Sequence, residues 1–357
     1  MVYQLPISVV IPMYDSAETI SRAIESVRIQ DFDDWELIVV DDGSTDNSAE
    51  LVSTIAKDDE RIRLETLGQN LGHGPARNAG INAAEGRYIV FLDADDALLP
   101  GSLREINTGS APGHDLLFIG SRELRRNQAR SLNAGPMLRQ LSTTPGGWSV
   151  SDHPELLFWP PATWSKVYRR DFLRDHEIRF PTGFHQDIPW SVETTLKANL
   201  ISGLDYECYE YRRPAPGGSS TTMSKGTKTL ERVRQVQRVR ELFRVNQLPE
   251  NIQVHLVALM AVHLIWGNRA AYRTMPDELR EQFFHDSSAE LHWWFELAKP
   301  DKKILSEPLM PTQEREFFSV ALLSDSFRLW QQALDTHRKK LRWQRRFDLS
   351  RYRVFKR

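Results

Sequence analysis

Between Ile7 and about Ile119, short runs rich in β-branched residues alternate with helix-like segments, and that alternation is the strongest constraint on what the chain can fold into. It specifies a mostly parallel sheet with helices packed on its faces, a Rossmann-like α/β architecture. The strand candidates are Ile7–Ile11, Glu36–Val40, Ile62–Glu65, Tyr88–Leu92 and Leu116–Ile119. They are nearly all apolar, as strands buried on both faces require. Asp15 and Ser16 are placed to cap a helix running through Val27, and Pro75 to occupy the first turn of another that Gly86 stops. Residues 107–155, rich in Gly, Pro, Ser, Thr and Asn, read as loops. From about Gly226 the periodicity becomes helical, with Leu230–Val245, Ile252–Trp266 and Glu314–Leu334 as the longest candidates. A chain of 357 residues exceeds the roughly 250 to 300 residues at which single cores stop growing. The expected organisation is an α/β domain over 1–225, a mainly helical domain over 226–337 and a basic, aromatic tail over 338–357.

Ligands of such open sheets bind beyond the carboxyl ends of the strands. Two acidic clusters stand there: Asp41-Asp42-Gly43-Ser44-Thr45-Asp46 after the second strand and Asp93-Ala94-Asp95-Asp96 after the fourth. Crowded carboxylates are costly unless cations or hydrogen-bond donors compensate them, which points to a hard cation, Mg²⁺ or Mn²⁺, and a polar ligand. Asp42-Gly43 is also ordinary turn chemistry, and Asp95-Asp96 could cap the turn that follows.

Four segments in order resemble the family 2 glycosyltransferases of the GT-A fold, over roughly residues 5 to 225. They are Ser8-Val9-Val10-Ile11-Pro12-Met13-Tyr14, Val39-Val40-Asp41-Asp42-Gly43-Ser44-Thr45-Asp46, Asn70-Leu71-Gly72 with Ala76-Arg77-Asn78, and Asp93-Ala94-Asp95. The resemblance implies a fold, GT-A followed by a mainly helical C-terminal part, and a reaction, transfer of a sugar from a nucleotide-diphosphate sugar with UDP as the common nucleotide. It implies that Pro12 and Tyr14 border the base and that Asp42 accepts a hydrogen bond from it. Asn70 and Arg77 would lie along the base or diphosphate, and Asp93 would face the ribose or sugar. Asp95 would coordinate a Mn²⁺ or Mg²⁺ ion bridging the phosphates.

The attacking hydroxyl needs a base within hydrogen-bond reach. In the family an acidic pair supplies it, and the matching stretch here is Arg179-Phe180-Pro181-Thr182-Gly183-Phe184-His185-Gln186-Asp187-Ile188-Pro189-Trp190, so the resemblance makes Asp187 the base. Gln186 departs from the usual Glu and removes one negative charge; a carboxylate at this place is also a plain helix cap. Upstream, Trp164 and Lys166 fall where the family contacts sugar and acceptor, Trp164 offering an apolar face and Lys166 a point charge. The alternative for them is a core Trp beside an exposed Lys. Arg212, Arg213 and Ser219 flank the Gly-rich Pro214–Gly218, a candidate lid over the diphosphate.

Composition narrows the partners. A net charge of −2 gives no overall footprint for nucleic acid, and a single cysteine, Cys208, can build neither an internal disulfide nor a thiolate metal site. The chain enters its first strand without a signal-peptide pattern, so a cytoplasmic location is expected. The longest apolar run, Leu256–Trp266, is about half of the ~20 residues a membrane helix needs. Residues 338–357 interleave ten Lys and Arg with aromatic side chains, a pattern that suits the anionic inner face of a membrane; a solvated terminal helix and an RNA-binding tail are the alternatives. The resemblance is nearest to bacterial enzymes that build surface polysaccharides, wall teichoic acids and capsules, which implies a glycan or lipid-linked glycan acceptor. The rival enzyme class is a phosphohydrolase of the haloacid dehalogenase type, but its Asp-x-Asp stands on the first strand, not the fourth. A catalytically impaired glycan-binding or assembly subunit of the same fold is the rival outside enzymes.

Overall fold

The computed structural model describes residues 6–110, 113–132, 135–213, 226–242 and 247–298. The first apolar run forms β1 (Ile7–Met13), buried throughout. Helix α1 (Ile20–Arg28) leads to β2 (Trp35–Asp41), equally buried. α2 (Ser48–Ala56), β3 (Ile62–Thr66), α3 (His73–Ala83) and β4 (Tyr88–Phe91) follow. The strands lie parallel in the order β3-β2-β1-β4. Val9, Ile11, Leu37, Val39 and Val90 pack one face against Ala23, Ile24 and Val27 of α1 as a single core. Because β1 and β2 are in register to Met13 and Asp41, the first acidic cluster emerges beside the end of β1.

The expected cap of α1 is not formed. Asp15 takes a left-handed φ of 43°, and its carboxylate accepts the Thr45 N–H at 2.7 Å. The helix starts only at Ile20, after a turn in which the Ser16 carbonyl accepts the N–H groups of Thr19 and Ile20. Asp15 is recruited by the second loop, and the helix gives way.

Residues 107–155 hold more regular structure than their composition suggests. After β5 (Ala97–Leu98) and α4 (Ser102–Gly109) come β6 (Leu116–Arg125), β7 (Gln128–Ser131) and α5 (Pro136–Thr143). β7 has no apolar signal and is exposed throughout. It exists because Arg126 and Asn127 adopt φ values of 49° and 62°, the left-handed pair that a two-residue hairpin turn requires.

The chain then forms β8 (Lys166–Arg169), α6 (Arg170–Asp175), α7 (Asp187–Lys197) and β9 (Ile201–Arg212). β8 inserts antiparallel between β4 and β6, and β9 runs parallel to β6. The complete order is β3-β2-β1-β4-β8-β6-β9-β5 with β7 on β6. The first half, β3-β2-β1-β4, is parallel as expected from sequence, and the far half, which includes the strand expected at Leu116–Ile119, is mixed.

The chain divides into two compact units, Met1–Met223 with Arg238–Phe243, and Ser224–Gln237 with Arg244–Arg357. Described helices beyond β9 are α8 (Glu231–Leu242), α9 (Glu250–Thr274) and α10 (Asp277–Leu297). α10 contributes buried Phe283, Phe284, Leu291 and Trp294 and α9 contributes Leu256, Met260 and Leu264. Among the described residues no helix is long and apolar enough to cross a membrane. The helix expected over Glu314–Leu334 and the basic tail lie outside the described residues.

Candidate active site

The ends of β1 and β2 are tied into one scaffold by short polar side chains. The Asp15 N–H donates to Ser44 Oγ at 3.0 Å, the Ser16 N–H to Ser48 Oγ at 2.8 Å and the Ala17 N–H to Asp46 at 3.1 Å. The Asp15 carboxyl is held below its usual range, chiefly by the Thr45 N–H. Beside this scaffold Pro12 is buried opposite Val40, whereas Tyr14 is 40% exposed.

Asp42 is buried, and its two oxygens accept the N–H groups of Leu71 and Gly72 at 2.8 and 2.7 Å. This carboxylate therefore shapes the loop that carries Asn70, which is exposed. Gly43 completes the arrangement: its φ is 76°, and a Cβ there would stand 2.7 Å from the Gln69 backbone. Only glycine satisfies both demands.

The second acidic cluster divides its labour. Asp93 accepts from Arg77 Nη2 at 2.7 Å, and the Arg77 side chain is only 8% exposed. Asp96 is fully buried and accepts from the Tyr209 hydroxyl at 2.5 Å and from the Arg212 N–H at 2.7 Å. Burial, reinforced by Asp93 and Asp95, pushes its pKa up to about 8. Asp95 is reachable by solvent yet crowded by protein; that desolvation, with the Asp93 charge, raises its pKa to about 6. Arg22 donates to the Asp95 carbonyl at 2.8 Å, and burial together with the like charge of Arg212 lowers its pKa. Among the described residues no three His, Cys, Asp or Glu side chains group as a metal cage. The set fits a cation held by one carboxylate and completed by ligand phosphates and water, the usual manner of Mg²⁺. Burial raises the Asp95 and Asp96 pKa values most, and such a cation would relieve the further rise that neighbouring carboxylates add.

α3 joins this acidic cluster to the segment holding Asp187. The Asn78 side chain clasps the Phe180 backbone, donating to its carbonyl and accepting its N–H at 2.9 Å each. A Cβ on Gly74 would stand 2.4 Å from both Gln186 Oε1 and the Pro181 carbonyl. The Arg77 guanidinium lies 5.5 Å from the Phe180 ring centroid, and Phe180 stacks on Trp190 at 3.6 Å. One helix thus carries Arg77 toward Asp93 and packs its first turn against the approach to Asp187.

Asp187 is the first residue of α7 and is half-buried. Gln186 is buried, with no hydrogen-bond partner for Oε1 among the described residues. Trp164 is half-buried, stacked on Tyr209 with centroids 4.5 Å apart, and on Tyr211 at 5.9 Å. Tyr209 was missed in the sequence although it links Trp164 to the acidic cluster; its hydroxyl also accepts the Asp93 N–H at 3.2 Å.

Lys166 corrects the sequence expectation most sharply. It is neither an exposed lysine nor a charge offered to ligand, being completely buried. Its ammonium donates to the Pro160 carbonyl and to Ser191 Oγ, both at 2.9 Å. Arg212 and Arg213 are also committed within the fold, Arg212 to Glu210 at 2.6 Å and Arg213 to Glu123. Ser219 and Pro214–Gly218, the rest of the expected lid, lie outside the described residues.

Comparison with known proteins agrees with this architecture. Residues 8–126 match the family model described as Glycosyl transferase family 2. The uncharacterized glycosyltransferase YibD of Escherichia coli is 32% identical over 215 residues, 57% of this chain and 60% of that protein. The GalNAc(5)-diNAcBac-PP-undecaprenol beta-1,3-glucosyltransferase of Campylobacter jejuni is 38% identical over 114 residues, 31% of this chain and 37% of that protein. The crystal structure of S. aureus TarS 1-349 superimposes with a TM-score of 0.65 at 18% identity, covering 94% of this chain and 92% of that one; the same protein has been solved with UDP-GlcNAc. The fold is GT-A. The likeness to family 2 glycosyltransferases thus rests on residues 8–126, about a third of the chain. The chain spans about 60% of the length of YibD.

Proposed function

We propose that the chain transfers a sugar from a nucleotide-diphosphate sugar, UDP-linked, to a hydroxyl of a surface polysaccharide or its lipid-linked precursor, with inversion at the anomeric carbon. The observation that carries this reading is the bridging role of α3, which packs against the base-bearing segment through Gly74 and Asn78 and presents Arg77 to Asp93. Donor identity is supported by the UDP-GlcNAc complex of TarS, and a lipid-linked acceptor by the name of the Campylobacter relative.

In this mechanism Tyr14, Asn70 and the Asp42-shaped loop receive the nucleoside, and Arg77 with Asp93 fixes the sugar end of the donor. Asp187 takes the proton of the acceptor hydroxyl as its oxygen bonds to the anomeric carbon. The bond from that carbon to the diphosphate oxygen breaks, and the nucleoside diphosphate leaves with the electron pair. A Mn²⁺ or Mg²⁺ ion, held by Asp95 and the donor phosphates, would supply Lewis-acid neutralisation of the departing diphosphate. Trp164 gives the acceptor or sugar ring an apolar face.

The test is release of UDP from a panel of UDP-hexoses and UDP-N-acetylhexosamines, with Mn²⁺ or EDTA, in the presence of lipid-linked and polysaccharide acceptors. Release that EDTA abolishes is expected. No release from any donor and acceptor pair would favour a glycan-binding subunit instead. Asp187→Asn should lower kcat by roughly 10²–10⁴-fold, the usual worth of general-base catalysis, with donor affinity unchanged. Near-normal turnover in that folded variant would remove Asp187 from the role.

A further inference from the structure

Lys166 is a buried ammonium for which donor recognition and leaving-group departure provide no use. Its hydrogen-bond partners, the Pro160 carbonyl and Ser191 Oγ, are neutral, and the Phe118 ring centroid lies 5.6 Å from Nζ. Burying an ammonium among neutral groups is expensive, so the residue must either shed its proton or find a counter-charge. Ser191 stands four residues after Asp187 on α7, and side chains at that spacing share a helix face. The ammonium therefore grips α7 one turn below the carboxylate.

We infer that Lys166 is a positioning residue for the transfer reaction: it seats the first turn of α7 through Ser191 and supplies the positive charge that keeps Asp187 ionised for the acceptor hydroxyl. The proposal rests on Asp187 being the base. Burial lowers the Lys166 pKa to about 7, against an opposing pull from Asp187. Among the groups facing this pair are the buried Tyr168 on β8, which feels both Asp187 and Arg77, and Arg77 itself on α3; His185 precedes Asp187 on its own segment. Arg77 is already paired with Asp93. Coupling between two charges is reciprocal, so each group should report the presence of the other.

Two measurements on the full chain test this. Lysine ¹³Cε NMR across pH 5 to 11 should show one lysine titrating near 7, and Asp187→Asn should move that midpoint downward. In UDP release from UDP-glucose and UDP-GlcNAc with Mn²⁺, Lys166→Met should lower kcat at least tenfold with donor KM within twofold. The acid limb of its kcat/KM profile should move to higher pH, because loss of the cation makes the carboxylate easier to protonate. A role in packing alone would not move that limb. Ser191→Ala should lower kcat severalfold with KM unchanged. The proposal is overturned if no lysine titrates below pH 9 or if the midpoint ignores Asp187→Asn. It also falls if Lys166→Met keeps the wild-type acid limb, whatever its melting temperature. Should Lys166→Met fail to fold, the NMR midpoint and Ser191→Ala decide. Full turnover in Asp187→Asn would instead overturn the base assignment, and the purpose assigned to Lys166 with it.

Discussion

Asp95 sets how the site should respond to acid. If Asp95 holds the proposed cation, its raised pKa of about 6 makes a proton compete with that cation for the same oxygens just below neutrality. For one competing proton, apparent Mn²⁺ affinity should fall about tenfold for each pH unit below 6 and level off above 7. Calorimetric titration of Mn²⁺ with UDP present, at several pH values, checks this; a flat profile would mean that Asp95 is not the ligand. Asp96 makes the complementary statement about stability. Its folded pKa is raised from 3.8 to about 8, so the folded state holds a proton that the unfolded chain would release. Its stabilising contribution is complete below about 4 and is lost as pH rises toward 8. Asp96→Asn should flatten that part of the melting-temperature profile. At this scale the sequence was a partial guide. The carboxylates could be found because they cluster at strand ends, whereas the burial of Lys166 depends on Ser191, 25 positions away, and the use of Asn78 on Phe180, 102 positions away.

Among the elements, α3 bears the heaviest structural demands. Gly74→Ala would force a methyl group to within 2.4 Å of the Pro181 carbonyl and of Gln186 Oε1. Overpacking of this kind costs about 1–3 kcal/mol, so differential scanning calorimetry should show a melting temperature lower by several degrees, with turnover reduced further as the Asp187 segment shifts. Asn78→Ala removes both hydrogen bonds to Phe180 and should cost about 1–3 kcal/mol by leaving partly buried backbone groups unpaired, measurable by urea unfolding. The strands of the first half were legible because most of them are largely apolar, β4 throughout and β1 but for Ser8. β8 and β9 were not, since β9 exposes its middle at Asp205 and Tyr206 between buried stretches and carries Asp205, Glu207 and Glu210, and β8 is four residues long. Their place is decided by pairing with β4 and β6 across long stretches of chain.

For the whole molecule, the sequence disclosed the order of its parts, an α/β region followed by helices, but not the antiparallel insertion of β8 that makes the sheet mixed. Insertion order is a matter of long-range pairing, invisible to local periodicity. Attachment to an anionic membrane through 338–357 is a prediction of charge pattern: liposomes containing phosphatidylglycerol should co-sediment the full chain at low salt, and much less of it at high salt or after removal of 338–357. Equal recovery of both forms would dismiss it. The clasp of Asn78 on Phe180 and the fit of Gly74 against Pro181 bear on modularity. Because the helix that carries Arg77 is also the seat of the segment leading to Asp187, a chimera that imports residues 160–213 from a relative would carry an acceptor side matched to a foreign α3. Recombination in this fold should therefore succeed only when the Gly74–Asn78 face of α3 travels with residues 160–213, so that, under the proposed mechanism, acceptor choice and donor grip would be inherited together.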